Sequence, residues 1–575
     1  MRYTQKYLHD EALLPFGYGD GGGGPTAEHL ELIERGSKGV PGAPNVKIDF
    51  AGNFLRRLEK AIEGRTDVPS WQGELYLEYH RGTYTTMSRN KRNNRQCEFL
   101  YTDAELLGCT ANALLQTPVP KADLHHGWEM ILTNQFHDII PGSSIGEVYE
   151  QCDVDYATIR AIGESVGENA RGDIAAAIDA SHGYVVFNPH SFHTAGYVKV
   201  NGKTALTKKP VPSKGYLATN DFLFENGVQM DGREVETDRL KVVFDECWQI
   251  RSIYDKNARR EVLKRSSVGN ELRVYVDYPD SYDAWEWQSY SREDYRVITD
   301  VDEIRVVDDG ARKGIRIVRP YSHSKITQTV WFYDGTTRID FETVADWHEH
   351  HQMLKAAFPV DVNTDKATYE IQFGTVERPT HTNTSWDCAR FEVCAHKYAD
   401  LSEGDYGVSL MNDCKYGHDI HDGVMQLSLL RSPTWPNPEA DQGEIPVTYS
   451  LLPHEGTIRD TDVAKEAYYL NYPMVAFEAK GKEDRLPTAF SAVALSAENV
   501  ICETVKQAEY GDDTIIRMYE SKNRRTELMV TLGIPASRVF LCDLMENELE
   551  ELTLDENRVT LPVKGFEIVT LRVKA

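Results

Sequence analysis

An aspartate followed by four glycines, Asp20 to Gly24 within FGYGDGGGGPT, is the segment of this 575-residue sequence best suited to presenting a reactive group. Each glycine inside a helix or strand costs roughly 0.5–1 kcal/mol relative to alanine. Four in a row therefore predict a turn with positive φ angles, or a backbone that another group approaches closely. A carboxyl group at such a turn can exchange protons with a ligand, so Asp20 is a candidate catalytic residue. A flexible linker is the alternative, although the apolar flanks Leu14 and Phe16 are unlike a linker.

A histidine and an aspartate are adjacent in a second segment, NQFHDIIPGSS, which spans residues 134–144. His137 and Asp138 follow an apolar helical pattern and precede a Pro-Gly stop. A neutral imidazole can bind a metal ion through one ring nitrogen, and such an ion would need further ligands from distant segments or from outside this chain. The alternative is a structural His–Asp pair. A functional His137 should be open to solvent, whereas a structural one should be buried with local partners.

Aromatic and charged side chains alternate in a third segment, GELYLEYHRGTYTT, at residues 73–86. The alternation predicts an extended segment whose polar, aromatic edge includes His80. Aromatic rings beside carboxylates and arginine suit a sugar site, because ring faces pack on C–H groups while polar groups bind hydroxyls. An edge strand packed on a helical domain is the alternative. The segment DSYDAWEW, residues 280–287, has the same acidic and aromatic character.

The overall charge excludes some classes of partner. The chain has 90 acidic and 63 basic residues, a formal net charge of −27, which argues against nucleic-acid binding because that requires clustered Lys and Arg. No segment approaches the ~20 apolar residues of a membrane span, and no signal peptide is visible. The nine cysteines are scattered without a CxxC pair, so we expect buried free thiols and a cytoplasmic protein.

The spacing of apolar residues changes near residue 180. Before it, residues 104–115, 128–136 and 154–180 carry helical periodicity, and after Tyr184 the period is two, with Asp-Gly and Asn-Gly turns. So long a series of short strands predicts more than one β-sandwich. We therefore predict a multidomain α+β protein, in which a helical middle domain precedes large antiparallel β-sandwich domains.

Six segments in order resemble a known family. They read GYGDGGGGPT, GELYLEYHRGTYTT, NQFHDIIPGSS, SWDCARFEVCAHKYADLSEGDYGVSLMNDCKYG, LSLLRSPTWPNPEADQG and YSLLPHEG, and they look like the bacterial branch of glycoside hydrolase family 38, the α-mannosidases. The resemblance implies a zinc-dependent retaining exo-α-mannosidase acting on α-mannosyl oligosaccharides, and it is compatible with a homo-oligomer. It also implies an N-terminal α/β barrel, a three-helix middle domain and C-terminal β-sandwiches.

The resemblance also assigns roles to individual residues. Asp20 matches the general acid/base, His137 the zinc-binding histidine of the middle domain, and Asp138 the aspartate that binds a mannose hydroxyl. His80 lies where other branches have a tryptophan at the sugar site. Asp283 and Trp285 lie near the position of an aromatic residue that the β region contributes to substrate binding.

The chain departs from the family pattern in one respect. It contains no His-x-Asp pair, the source of two zinc ligands in the family, and no match to the nucleophilic aspartate. A retaining mechanism needs two carboxyl groups about 5–5.5 Å apart. We therefore expect a C-terminal portion of the enzyme that binds no zinc and is inactive by itself, with Leu8, Leu13, Leu14 and Phe16 exposed. A non-catalytic glycan-binding or scaffolding protein made of β-sandwiches is the alternative.

These expectations divide the chain into five regions. Residues 1–30 are predicted to be a barrel remnant, 31–180 the helical middle domain, 181–410 the first large β-sandwich domain, 411–495 a continuation of the β region, and 496–575 a C-terminal β domain.

Overall fold

A computed structural model describes residues 3–575. The chain forms two compact units, one up to Tyr76 and one from Leu77 to Ala575. No helix in the described part of the chain is long and apolar enough to cross a membrane.

The N-terminal unit has no core of its own. It contains two helices, Ala27–Ser37, which Thr26 caps with a capping box, and Ala51–Ile62. None of residues 3–76 is buried, and large side chains such as Leu14 and Phe50 are more than 80% exposed. The predicted exposure of Leu13, Leu14 and Phe16 is confirmed, whereas Leu8 is half-buried.

Three long helices open the second unit, as the apolar periodicity predicts. They span Ser88–Leu115, Lys121–Asn134 and Gly146–Ala175. Their shared core includes Tyr101, Ile131 and Tyr156. The second helix ends at Asn134, two residues earlier than the sequence pattern suggests, because Gln135 and Phe136 donate to the last carbonyl groups of the helix and close it with a turn. His137 therefore follows the helix instead of ending it.

The two largest sheets lie within residues 271–455. The six-stranded sheet contains, in spatial order, Tyr295–Val297, Glu271–Val276, Gln352–Pro359, Val424–Arg431, Gly417–His421 and Val393–Cys394. The nine-stranded sheet contains Glu303–Asp308, Arg312–Tyr321, Ser324–Tyr333, Ile339–Trp347, Gly443–Glu455, Tyr406–Asn412, Tyr398–Ser402, Lys366–Ile371 and Gly374–Pro379. Rings from both sheets meet between them, with Phe341 and Phe358 5.4 Å apart.

Smaller sheets precede and follow this sandwich. A four-stranded sheet contains, in spatial order, Val475–Glu478, Tyr184–Asn188, Gly215–Thr219 and Ala489–Ser491. A three-stranded sheet contains Tyr197–Val200, Lys203–Thr207 and Phe222–Leu223. A five-stranded sheet contains Arg260–Glu261, Ile250–Asp255, Leu240–Phe244, Glu234–Glu236 and Gln229–Asp231. The C-terminal sandwich contains Val493–Leu495, Thr526–Leu532 and Arg558–Val563 opposite Val500–Gln507, Thr514–Glu520, Ile568–Lys574, Arg538–Cys542 and Glu548–Leu552. Short helices are Arg81–Tyr84, Ala180–His182, Ser289–Glu293, Ser385–Ala389 and Val463–Asn471.

The predicted fold class is confirmed. A helical middle domain is followed by many antiparallel sheets, as the change of apolar period near residue 180 indicates. The predicted boundary between residues 410 and 411 lies inside strand Tyr406–Asn412, so residues on both sides of it belong to one sheet. The other domain boundaries remain predictions.

The cysteines are all free, as predicted, but they are not all buried. Cys388 is exposed, and Cys247 and Cys394 are half-buried. The scattered spacing indicates the lack of disulfides, whereas burial depends on tertiary packing that the spacing does not report.

We predict that limited trypsin digestion of the native chain cuts first within residues 3–76. A segment without buried side chains opens at little cost in free energy and reaches the protease active site readily. Mass spectrometry of the early fragments should show a stable product that begins at Thr66, after Arg65, the last basic residue of this segment. First cuts at exposed basic residues of the second unit, such as Arg524, would contradict this prediction.

Candidate functional site

His137 and Asp138 lie in the turn after the second helix, and both are open to solvent. The His137 side chain is 78% exposed and that of Asp138 47%, with 3.4 Å between imidazole Nε2 and carboxylate Oδ2. The Phe136 ring lies 4.2 Å from the imidazole ring. The structural alternative, a buried histidine with local partners, does not describe this residue.

The turn that carries this pair is held rigidly. Ser143 Oγ donates to the Asp138 carboxylate over 3.1 Å, and Ser144 Oγ donates to the Asp138 carbonyl over 2.7 Å. The buried Tyr149 hydroxyl accepts from the Ser144 N–H over 3.0 Å. Gly142 has φ +93°, and a Cβ there would lie 2.4 Å from the Thr86 carbonyl oxygen. Only glycine therefore lets this turn lie against the backbone of residue 86.

A buried lysine joins this turn to the start of the first long helix. Lys91 is 3% exposed, and its ammonium group donates to the carbonyl oxygens of Ile140, over 2.8 Å, and Thr86. Burial lowers the pKa of Lys91 to about 7, against the attraction of the nearby Asp441 carboxylate. The pKa of Asp441 is in turn raised by burial. Lys91 thus connects the His137 turn to the segment that contains His80.

The prediction that residues 73–86 are extended is wrong at His80 and the residues that follow it. His80 has φ +63°, and Arg81–Tyr84 form a 3-10 turn. Both the backbone N–H and the ring Nδ1 of His80 contact Glu286 Oε1, at 3.1 and 2.8 Å. The Glu286 side chain is 6% exposed and that of His80 44%. A buried carboxylate thus sets the ring orientation of a half-exposed histidine, a contact between residues 206 apart that local alternation does not indicate.

The acidic and aromatic segment 280–287 forms the other wall of the site. Asp283 Oδ2 accepts from the backbone N–H groups of Thr434 and Trp435, at 2.7 and 3.2 Å. The rings of Trp285 and Trp435 lie 5.5 Å apart, and Trp435 is 55% exposed. Asp283 therefore orders a loop, and Trp285 belongs to a partly exposed aromatic pair.

The chain turns at Asp20 in the N-terminal unit, as predicted, but the positive φ angles expected for Gly21 to Gly24 are not found there; the neighbouring glycine with a left-handed φ, +61°, is Gly19. A Cβ on Gly21 would lie 2.1 Å from the ring of Tyr18, an exposed side chain that would have to move. The Gly21 N–H donates to the Tyr18 carbonyl over 3.2 Å. Asp20 is exposed on this turn, which is compatible with proton exchange with a ligand.

The structure joins His80, Asp138 and the 280–287 segment through hydrogen bonds that the sequence did not indicate. The Gly82 N–H donates to the Trp285 carbonyl over 2.8 Å, and Thr86 Oγ1 donates to the Ala284 carbonyl over 2.9 Å. Sequence reasoning missed Glu286, Trp435 and Lys91. The first two lie in segments with a visible aromatic signal, whereas no pattern marks a lysine as buried.

Zinc does not fit the described residues by themselves. No group of three or more His, Cys, Asp or Glu side chains within residues 3–575 is arranged to hold a metal ion. Structural zinc sites use four protein ligands and catalytic ones usually three, and His137 with Asp138 supplies at most two. By themselves, these two residues do not complete a zinc site.

Sequence profiles of one family match successive parts of the chain. The N-terminal domain profile of glycosyl hydrolases family 38 matches residues 1–74, and the alpha mannosidase middle domain profile matches residues 78–174. The family 38 C-terminal domain profile matches 235–439, and the C-terminal beta sandwich profile matches 499–571. The middle-domain match includes both His80 and the His137–Asp138 pair.

Curated relatives and solved structures agree with these matches. The chain is 35% identical to human Alpha-mannosidase 2C1 over 97% of its length, and 30% identical to the Alpha-mannosidase of Saccharomyces cerevisiae over 99%. It spans 55% of the length of each of these relatives. A crystal structure of an alpha-mannosidase from Enterococcus faecalis V583 superimposes with a TM-score of 0.79, covering 96% of this chain and 75% of that one, at 16% identity. That similarity shows the fold.

We predict that Lys91→Met destabilises the protein, and more so at high pH. The substitution leaves the carbonyl groups of Thr86 and Ile140 without their donor, at about 1–3 kcal/mol for each buried acceptor. Since the folded pKa of Lys91 is lowered to about 7, the unfolded chain binds the proton between that pH and the ordinary lysine pKa while the folded chain does not. Wild-type stability therefore rises with pH in this range, by about 1.4 kcal/mol per unit.

Thermal unfolding at pH 7 and pH 9 tests this prediction. The difference in midpoint temperature between wild type and K91M should widen at pH 9. Lys325→Met, the same substitution at an exposed lysine, is the control and should show no such widening. An equal difference at both pH values would show that Lys91 does not lose its proton on burial.

Proposed function

Because the chain belongs to glycoside hydrolase family 38, we propose that it contributes to a zinc-dependent retaining exo-α-mannosidase that releases terminal α-mannosyl residues from oligosaccharides. This proposal rests on the hydrogen bonds that join two segments of the middle domain, one containing His80 and the other His137 and Asp138. His80 and the His137–Asp138 pair are far apart in sequence, and Lys91 joins their supporting backbones. The exposed side chains of both segments can then contact one ligand.

The proposed contacts follow from the chemistry of these groups. The Asp138 carboxylate accepts from a sugar hydroxyl, and Ser143 fixes its orientation. His80, oriented by Glu286, presents its second ring nitrogen to the substrate. The Trp285–Trp435 pair offers ring faces on which the C–H groups of a pyranose can pack. In the complete site, His137 would provide one zinc ligand.

Asp20 is proposed as the general acid/base. Its carboxyl group donates a proton to the glycosidic oxygen as the bond to the sugar breaks, and its carboxylate then takes a proton from the water that completes hydrolysis. A retaining mechanism needs a second carboxylate as nucleophile on the other side of the sugar, and no residue of this chain is assigned to that role. We therefore propose that the chain is inactive by itself. The free cysteines fit a reducing, cytoplasmic location.

The proposed roles predict the effect of two substitutions in the longest polypeptide that the gene encodes. That polypeptide should hydrolyse an aryl α-mannoside, lose activity with a chelator and regain it with zinc. Asp20→Asn and His137→Ala should each lower kcat/KM by about 100-fold or more. His126→Ala, an exposed histidine on the second helix, is the matched control. Activity that resists chelation, or equal activity of H137A and H126A, would contradict the zinc mechanism.

The isolated chain of 575 residues should not hydrolyse the same substrate. Without a nucleophile, no covalent glycosyl intermediate forms, so release of the aryl group should equal the rate without protein. The measurement needs zinc in excess, so that loss of metal cannot explain a negative result. Zinc-stimulated turnover that H137A abolishes would show that a second carboxylate of this chain completes the site.

A further inference from the structure

A large cavity lies between the helices and the β domains. It has a volume of about 1020 Å³ and lies between helix Ser88–Leu115, the end of the nine-stranded sheet near Glu370, and strand Val500–Gln507. Exposed residues of the second helix, His125 and Glu129, mark its open end. Its size is that of pockets that bind small molecules, about 300–1,000 Å³. Its lining includes neither His137 nor Asp138.

Acidic and basic side chains line this cavity in nearly equal numbers. Glu370 pairs with Lys397, whereas the Glu503 carboxyl group feels attraction from Lys397 and Lys214 and repulsion from Glu370 and Glu98. Burial raises the pKa of both Glu98 and Glu503. Since the lining has no strong excess of either sign, it favours a ligand without net charge that can both donate and accept hydrogen bonds.

Buried polar groups in the wall have hydrogen-bonding capacity to spare. Arg95 is 3% exposed; it donates through Nε to the Tyr416 hydroxyl over 3.2 Å and through Nη1 to Asn471 over 2.9 Å. Its Nη2 has no hydrogen-bond partner within residues 3–575. An unpartnered buried donor is costly, so water or a ligand hydroxyl at the wall would lower the free energy of the folded state.

Aromatic rings complete the lining. The Phe99 ring stacks on that of Tyr472 at 5.9 Å and meets the Tyr468 ring edge-on at 6.0 Å. Such ring surfaces beside carboxyl and amide groups fit molecules that have C–H faces as well as hydroxyl groups.

We propose that this cavity binds a neutral polyhydroxylated small molecule, a sugar or sugar alcohol of one or two rings in size. Hydroxyl groups of this ligand accept from Arg95 and from lysine side chains of the wall, and they donate to Glu98 and Glu503. The C–H face of the ligand packs on Phe99. Glu98 also accepts from Gln135 Nε2 over 2.9 Å. Gln135 lies two residues before His137, so Glu98 links the cavity wall to the start of that turn.

Isothermal titration of the complete chain with glucose, sucrose, trehalose and mannitol tests the proposal. These probes contain no mannoside, so binding at the His137 site does not confuse the result. At least one should bind saturably at millimolar concentration or below. Glu503→Gln and Phe99→Leu should each weaken that binding about tenfold, the effect of losing one hydrogen bond to a charged group or a comparable packing contact. Glu527→Gln, at an exposed glutamate of the same sandwich, is the matched control and should bind as the wild type does.

Hydrogen exchange of the wild-type chain gives a second readout that needs no variant. The bound probe should protect residues 94–105 and 500–507 relative to the free chain. Failure of every neutral probe to bind would overturn the proposal. Tighter binding of spermidine or citrate than of any neutral probe would overturn the ligand class, and wild-type affinity in E503Q and F99L would overturn the location.

Discussion

The buried guanidinium group of Arg431 is the contact on which the arrangement of the candidate site depends. It pairs with Asp277 across 2.6 Å, and both side chains are fully buried. It also donates to the Ala284 carbonyl over 3.0 Å, to the Glu286 carbonyl and to Thr86 over 3.2 Å. One side chain at the end of a core strand thus holds the loop that carries Trp285 and Glu286 and, through Thr86, the segment after His80. Removing one partner of such a buried pair typically costs 3–5 kcal/mol, so these contacts fix the loop against the end of the strand.

This arrangement separates the groups that face solvent from those that position them. His137 and His80 are exposed or half-exposed, whereas Lys91 and Glu286 are buried; Glu286 contacts the His80 ring, and Lys91 donates to the backbone of the His137 turn. Rigid support by buried polar groups reduces the conformational entropy lost when a ligand binds. The lowered pKa of Lys91 is a consequence of that support, since an ammonium group needed between two carbonyl groups has been removed from water.

Sequence periodicity and turn chemistry were sufficient for the framework of the fold. The three helices and the series of short strands follow from spacings of 3.6 and 2 residues, and the glycine turn at Asp20 follows from the cost of glycine in regular structure. The conformation of His80 was not predictable in this way. Its backbone depends on Glu286, more than 200 residues away, and alternation in residues 73–86 reports only local preference. Lys91 was missed because its partners are backbone carbonyl groups, which have no sequence signal, and Arg431 because the partners of its guanidinium group lie more than 140 residues away along the chain.

The close contact of Gly142 with Thr86 restricts how this sequence can diverge. A side chain at position 142 would collide with the carbonyl oxygen of residue 86, and that oxygen is present whatever residue occupies position 86. A second substitution at position 86 therefore cannot compensate for loss of the glycine, as a smaller side chain could in an ordinary core pair. Evolutionary change at position 142 requires the whole turn to move, and His137 and Asp138 would move with it. Neighbouring exposed positions such as Ile145 carry no such restriction and are free to vary independently.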